Sequence, residues 1–246
     1  MKNEKTLILI PSFEPDEALP SLCESLANEG FTILIVNDGS DTKYDQYFVK
    51  AKEFATLISY KENKGKGYAL RYGMKYIYDN LSNFSYFLTV DGDGQHALED
   101  IVVMSKNIEI NDHIIIGERD FKGPIPIKSK IGNVMSKVTQ TLASKRFLSD
   151  NQCGLRAFHV SDIPWLIQSK ENRYEYEMSV LSKLIEKEIP FDTQLIQTIY
   201  ENDNAKTHFR PFLDTVLIQK SILIFAIINI LIFILEIGLT HVFNFS

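Results

Sequence analysis

The sequence predicts an α/β protein, a mostly parallel sheet flanked by helices and followed by a C-terminal hydrophobic helix. Through the first half of the chain, short apolar runs alternate with helical stretches, the pattern of repeated strand-helix-strand units. Three polar clusters, Pro11-Ser12-Phe13-Glu14, Asn37-Asp38-Gly39-Ser40 and Asp91 to His96, each directly follow an apolar run. They therefore fall at strand ends, where ligands of such sheets gather. Near the other terminus, Ser221 to Leu235 reads SILIFAIINILIFIL, with only Ser221 and Asn229 polar.

Taken in order, Thr6 to Ile10 reads as a strand and Asp16 to Asn28 as a helix. Phe31 to Val36 is the next strand and Thr42 to Phe54 the next helix. Ala55 to Tyr60 and Gly67 to Asn80 repeat the unit, as do Tyr86 to Val90 and Leu98 to Ile110, with Ile114 to Ile116 beginning another. The strands are short, near-continuous apolar runs, as expected where both sheet faces are covered. After Gly117 the rhythm breaks. Glu118 to Lys130 is rich in Pro, Gly and charge and reads as a loop leading into a helix from Ser129 to Ser144. Asp150 to His159 reads as a strand or turn, Glu175 to Lys187 as a helix and Thr193 to Tyr200 as the last strand. No linker divides the chain, so residues 1–212 form one expected cytosolic domain and 213–246 a juxtamembrane segment with a single membrane-associated helix.

Composition narrows the function classes. Hydrophobic residues at 45% and charged residues at 24% are those of a globular protein, and a net charge of -6 argues against nonspecific nucleic-acid binding. Cys23 and Cys153 are far apart and lack a CxxC or His-rich setting, so they read as reduced core thiols. The apolar run at the N-terminus is stopped by Pro11 and Glu14, too short for a secretory signal, so the chain is expected to begin in the cytoplasm. The C-terminal apolar run is shorter than the roughly 20 residues a span needs, but Ser221 to Phe243 suffices if Glu236 sits near an interface. Lys206, Arg210 and Lys220 precede the run and no Lys or Arg follows it, which places the main domain on the cytosolic side of a cell membrane. A buried or interfacial terminal helix is the alternative. The run is apolar around its whole circumference, which favours lipid.

Asp91 and Asp93 carry the chemistry. Residues two apart on an extended backbone project to the same side, so both carboxylates can face one point. Adjacent negative charges repel unless a cation lies between them, and carboxylate oxygens suit a hard ion such as Mg²⁺ or Mn²⁺. An ordinary polar turn is the competing reading.

The motifs IPSFEPD, IVNDGS, the loop Asn63 to Gly67, TVDGDGQH, GERDF, DNQCGLRAF and YEYEM occur in the order and spacing of a known family. The chain resembles family-2 inverting glycosyltransferases of the GT-A fold, in the branch of dolichol-phosphate mannose synthase and bacterial undecaprenyl-phosphate glycosyltransferases. The likeness covers roughly Leu7 to Pro211. It implies that Asp38 holds the nucleobase, with Pro11, Phe13 and Glu14 lining the nucleoside pocket. The Lys64-Gly65-Lys66-Gly67 loop either approaches phosphate through its backbone amides, as helix N-termini do, or is a plain turn before a helix. The likeness also implies that Asp91 and Asp93 are the metal-side carboxylates, that Gln95 is a further metal or diphosphate contact, and that Arg119 lies near the diphosphate. Lys128, Ser129 and Lys130, in IKSKIGN, and Arg210 are expected on the acceptor or phosphate side. Lys128 and Lys130 stand where similar sequences often carry Arg, and lysine cannot reproduce a bidentate clamp. His96 is either a ligand or neighbour of the site or a strand-end histidine satisfied by backbone.

The acceptor decides whether a base is needed. A phosphate monoester, with a second pKa of about 6, can attack the anomeric carbon unaided, whereas a hydroxyl cannot. Asp150, Glu175 and Glu177 are the candidate bases for a hydroxyl, and each also reads as a turn or first-turn helix acid. The expected activity is inverting hexose transfer from a UDP- or GDP-linked sugar to a polyprenyl phosphate at the cytosolic membrane face. Lys206, His208 and Arg210 would stand near lipid head groups. Transfer to a glycan or glycolipid hydroxyl is the second expectation, and a non-catalytic scaffold the third. A homo-oligomer or a membrane partner is compatible with a single apolar segment.

Overall fold

The computed structural model describes residues 5–119, 153–197 and 199. Strand β1 (Thr6–Ser12), helix α1 (Ala18–Asn28), β2 (Thr32–Asp38), α2 (Asp45–Ala51), β3 (Thr56–Tyr60), α3 (Lys66–Asn80), β4 (Tyr86–Thr89), α4 (Leu98–Asn111) and β5 (Ile114–Arg119) follow in turn. After them come β6 (Arg156–His159), the short α5 (Ile163–Leu166), α6 (Glu175–Glu186) and β7 (Phe191–Ile196). The seven strands lie in the order β3-β2-β1-β4-β6-β5-β7. Every neighbouring pair is parallel except those made by β6, which runs antiparallel to both β4 and β5.

Side-chain alternation explains the three layers. Ile8, Ile10, Ile33, Ile35 and Leu88 face α1, α2 and α4, meeting Leu19, Leu26, Phe48, Ile101 and Met104. Their neighbours Leu7, Leu9, Leu34, Val36 and Phe87 face the opposite way, onto Ala69, Met74, Ile77, Ile163 and Leu181 of α3, α5 and α6. With both faces covered, all seven residues of β1 are buried. Each such apolar side chain contributes about 1.5–3 kcal/mol. Cys23 and Cys153 form no disulfide and are buried in the first of these clusters, and burial pushes the Cys23 thiol up to about 12.

The topology positions the site. From β1 the chain moves to β2 and β3 on one side, then crosses to β4 on the other, so the order reverses between β1 and β4. A crevice opens at the carboxyl ends of strands where the order reverses. Reversed β6 brings its amino end, with Gly154 just before it, to that same edge, because Thr89 pairs with Arg156.

Several boundaries differ from the sequence expectation. The stretch expected as one helix from Thr42 to Phe54 is a 3-10 turn (Thr42–Tyr44), opened by the Asp41 carboxylate accepting from the Lys43 N–H, followed by the shorter α2. The last strand starts at Phe191 rather than Thr193, since pairing with β5 begins at Ile114. Within Asp150 to His159 only Arg156–His159 is a described strand, and α5 had no counterpart in the sequence reading. The expected helix from Ser129 to Ser144 and the C-terminal hydrophobic helix lie outside the described residues. Among the described residues no helix is long and apolar enough to cross a membrane.

Gly73 lets α3 lie directly on the sheet. A Cβ there would run into Leu9 Cδ1 and come within 2.9 Å of Val36 Cγ2. Gly73→Ala should therefore lower stability by about 1 kcal/mol or more in urea unfolding, because overpacking outweighs the roughly 1 kcal/mol helix-propensity gain. A stabilised variant would show that α3 can shift off β1 and β2.

Candidate functional site

Asp38 ends β2 with 2% of its surface exposed. Its Oδ1 accepts from Tyr60 Oη at 2.7 Å and the Lys64 N–H at 2.8 Å, while Oδ2 accepts from Asn63 Nδ2 at 3.0 Å and the Gly65 N–H at 2.9 Å. Two acceptances per oxygen fill a carboxylate's ordinary capacity. Gly65 meets this demand with φ of 100°, in the region that favours glycine, and a Cβ there would press on the Asn172 carbonyl. Burial and the bond to Asp38 push the Tyr60 hydroxyl far above its usual range, so it remains a donor. Asp38 thus fixes the loop that begins α3. Lys64 Nζ lies 4.6 Å from the Tyr68 ring centre beside that loop.

Lys66, the first residue of α3, reaches into the crevice. Its Nζ is 2.6 Å from Asp91 Oδ1 and 2.8 Å from Glu177 Oε1. Burial opposes the charge on Lys66, but the two carboxylates hold its pKa above the ordinary lysine value. Burial likewise opposes the charge on Asp91, yet Lys66 and then His96 hold its carboxyl well below the usual range. The other Asp91 oxygen, Oδ2, is 3.5 Å from the buried His96 Nε2, which makes no hydrogen bond among the described residues. A Cβ on Gly154 would collide with the Asp91 carboxylate, so only glycine leaves room for it there.

The walls of this cluster are tied together. Thr89 Oγ1 donates to the Gly154 carbonyl at 2.8 Å. Arg156, 2% exposed, donates from Nε to the Cys153 carbonyl at 3.0 Å and from Nη1 to the Glu177 carbonyl at 2.8 Å. Asp93 is exposed and accepts the Gln95 N–H at 3.1 Å. Although its own surface is exposed, the surrounding crevice strips water from the carboxylate, and this first and the neighbouring Asp91 charge second push its pKa up, which marks a potential that suits a cation. Among the described residues no group of three His, Cys, Asp or Glu side chains forms a metal cage. A cation held by Asp91, Asp93 and Gln95 would need its remaining ligands from substrate and water.

Pro11 is buried at the end of β1, and Phe13 and Glu14 are half-buried just beyond it. Glu14, at φ 51°, donates its N–H to Ser40 Oγ at 2.9 Å, and the Ser40 N–H donates to Asn37 Oδ1 at 2.9 Å. The first two expected strand-end clusters are therefore stitched together. Arg119 is half-buried at the end of β5. Lys128, Ser129, Lys130, Asp150, Lys206, His208 and Arg210 lie outside the described residues. Nothing in the local sequence marks that Asp38 is occupied by its own chain, that Glu177 pairs with Lys66, or that Arg156 braces the cluster. The only signal was the bare recurrence of Lys, Asp and Glu in separate motifs.

Replacing Lys66 by Met removes the ammonium that two carboxylates share. Lys66→Met should lower stability at pH 7 by about 3 kcal/mol, the range seen when one partner of a buried pair is lost. The pH response should also invert. In the wild type the depressed Asp91 group contributes fully above the ordinary carboxylate range and loses its contribution as pH falls below it. In the variant Asp91 keeps its burial but loses the ammonium, so its carboxyl moves up and stability rises as pH falls from 7 towards 5. Parallel curves for the two proteins in pH-dependent urea unfolding would show that Lys66 is not the counter-ion.

Comparison with known proteins agrees with this geometry. The model of glycosyl transferase family 2 matches residues 7–163, more than half of the chain. An uncharacterised protein of Methanocaldococcus jannaschii is 30% identical over 161 residues, covering 61% of this chain and 69% of that protein. The UDP-N-acetylglucosamine–dolichyl-phosphate N-acetylglucosaminyltransferase of Methanococcus voltae is 28% identical over 227 residues, covering 81% of this chain and 88% of its own. Among solved structures, glucosyl-3-phosphoglycerate synthase from Mycobacterium tuberculosis, in complex with Mn²⁺, uridine diphosphate and phosphoglyceric acid, superposes with a TM-score of 0.64. That likeness, at 11% identity over 92% of this chain and 78% of the other, concerns the fold. Since the family match runs from β1 to the start of α5, across the strand ends that carry Asp38 and Asp91, the chain belongs to glycosyl transferase family 2 and is a glycosyltransferase on a GT-A-like sheet.

Proposed function

We propose that the protein transfers a hexose, with inversion, from a UDP- or GDP-linked sugar to a polyprenyl phosphate at the cytosolic face of a membrane. The observation that carries this reading is the Lys66 ammonium, 2.6 Å from Asp91 and 2.8 Å from Glu177, at the strand-end crevice. It supplies positive charge where a leaving diphosphate would develop negative charge. It also occupies Glu177, so that carboxylate is a poor candidate for the base a hydroxyl acceptor would require. An acceptor phosphate, already ionised near neutral pH, needs none. The Methanococcus voltae relative, whose name specifies a dolichyl-phosphate acceptor, supports the same choice over 81% of this chain.

The site fits a divalent cation, Mg²⁺ or Mn²⁺, because the Asp91 charge pushes the neighbouring Asp93 carboxyl up, which a cation beside it would relieve, and Gln95 adds an amide. When bound, such an ion would neutralise charge on the leaving diphosphate. The chain's own part is positional. Asp38 fixes the Asn63 to Gly65 loop that introduces Lys66, and Pro11, Phe13 and Glu14 border the same edge as the nucleoside wall. Arg119 would add charge from β5, with Lys128, Ser129, Lys130 and Arg210 meeting the acceptor phosphate. We assign residues 1–212 to the catalytic domain and 213–246 to the membrane-associated part. A second reading, transfer to a glycan hydroxyl, would use Asp150 or Glu175, whose Oε2 is buried without a hydrogen bond among the described residues.

Membranes containing the protein, supplied with polyprenyl phosphate, Mn²⁺ and radiolabelled UDP- or GDP-sugars, should yield an acid-labile lipid product that EDTA prevents. Asp93→Ala should cut that turnover about 100-fold or more. Its unfolding free energy should change by no more than about 0.5 kcal/mol, since the side chain is exposed. Label that appears only in glycan would move the assignment to a hydroxyl acceptor, and full activity without Asp93 would remove the metal.

A further inference from the structure

Glu177 sits too deep and too tightly paired to be a bystander on α6. Only 5% of its surface is exposed, its Oε1 takes Lys66 Nζ at 2.8 Å, and Arg156 Nη1 holds its carbonyl at 2.8 Å. Lys66 shares its single positive charge between this carboxylate and Asp91, which it meets at 2.6 Å. A divalent cation at Asp91 and an ammonium on the same carboxylate repel each other, so whatever draws Lys66 away from Asp91 favours the metal.

We propose that Glu177 is a positioning residue that sets the affinity of the site for its divalent cation, by taking a share of the Lys66 ammonium that would otherwise rest on Asp91 alone. The inference rests on the metal-assisted reading above. Glu177 lies on α6 and Lys66 on α3, so the device couples the packing of these two helices to cation uptake at the end of β4. Removing the Glu177 contact commits the Lys66 charge to Asp91 alone. Removing Lys66 frees Asp91 from its competitor.

The two partners of one ion pair therefore have opposite effects, an outcome that general loss of packing cannot produce. Mn²⁺ affinity would be measured from the free-ion paramagnetic resonance signal, with saturating UDP or GDP present. Glu177→Gln should weaken Mn²⁺ binding about tenfold, and Lys66→Met should tighten it. Glu177→Asp keeps the charge but shortens the reach by one methylene, so it should weaken binding as Gln does, and it tests the idea even if Lys66→Met does not fold. In the Lys66→Met background, Glu177→Gln should have no further effect. Unaltered affinity in Glu177→Asp, or an equal loss in both backgrounds, would mean that Glu177 acts only through space and would overturn the proposal. Asp93→Asn separates the two levels: if the wild type binds no Mn²⁺, or binds it as well without this carboxylate, the metal reading itself fails.

Discussion

One buried ammonium organises this crevice. Lys66 enters from the first turn of α3, Asp91 from the residues after β4 and Glu177 from the first turn of α6, and none of the three would be stable there as an isolated charge. Pairing through the one shared ammonium allows a charged cluster to exist beside an apolar sheet. The surrounding bonds follow from that need. Gly154 leaves space for the Asp91 carboxylate, Thr89 secures the Gly154 carbonyl, and Arg156 ties the chain before β6 to the Glu177 backbone.

The sheet order makes the cluster possible. β4 lies beside β1 at the point where the order reverses, so the Asp91 segment opens at the same edge as Ser12 and Asp38. Inserting β6 antiparallel between β4 and β5 adds a second consequence. Its amino end, rather than its carboxyl end, faces the crevice, and so the Cys153-Gly154 segment becomes a wall of the site. A wholly parallel arrangement would have placed these residues at the far edge of the sheet.

Asp38 shows how a binding motif can also be a structural one. The family likeness implies a contact to the nucleobase, while the four hydrogen bonds to its carboxylate come from Tyr60, Asn63, Lys64 and Gly65 of its own chain. Its carboxylate in this arrangement shapes the donor pocket by fixing the loop that delivers Lys66. The loop is also held from the other side, where the Tyr68 N–H donates to the Asn172 carbonyl at 3.0 Å.

The sequence by itself determined the layer architecture, because buried parallel strands must be apolar on both faces and their ends must be polar. Thr6 to Ile10, Phe31 to Val36 and Tyr86 to Val90 were therefore legible to within two residues. The strand-end placement of Asp38, Asp91 and Asp93 followed from the same pattern. Local pattern carries no information about which distant side chains share a charge. Only the tertiary structure decided that Lys66 would bridge Asp91 and Glu177, and that Asp38 would be filled by its own loop. It also decided that Arg156 would turn inward from a strand whose direction no periodicity encodes. These are contacts between residues separated by a helix or more of chain, set by sheet order and by the energetic demand that buried charge be paired.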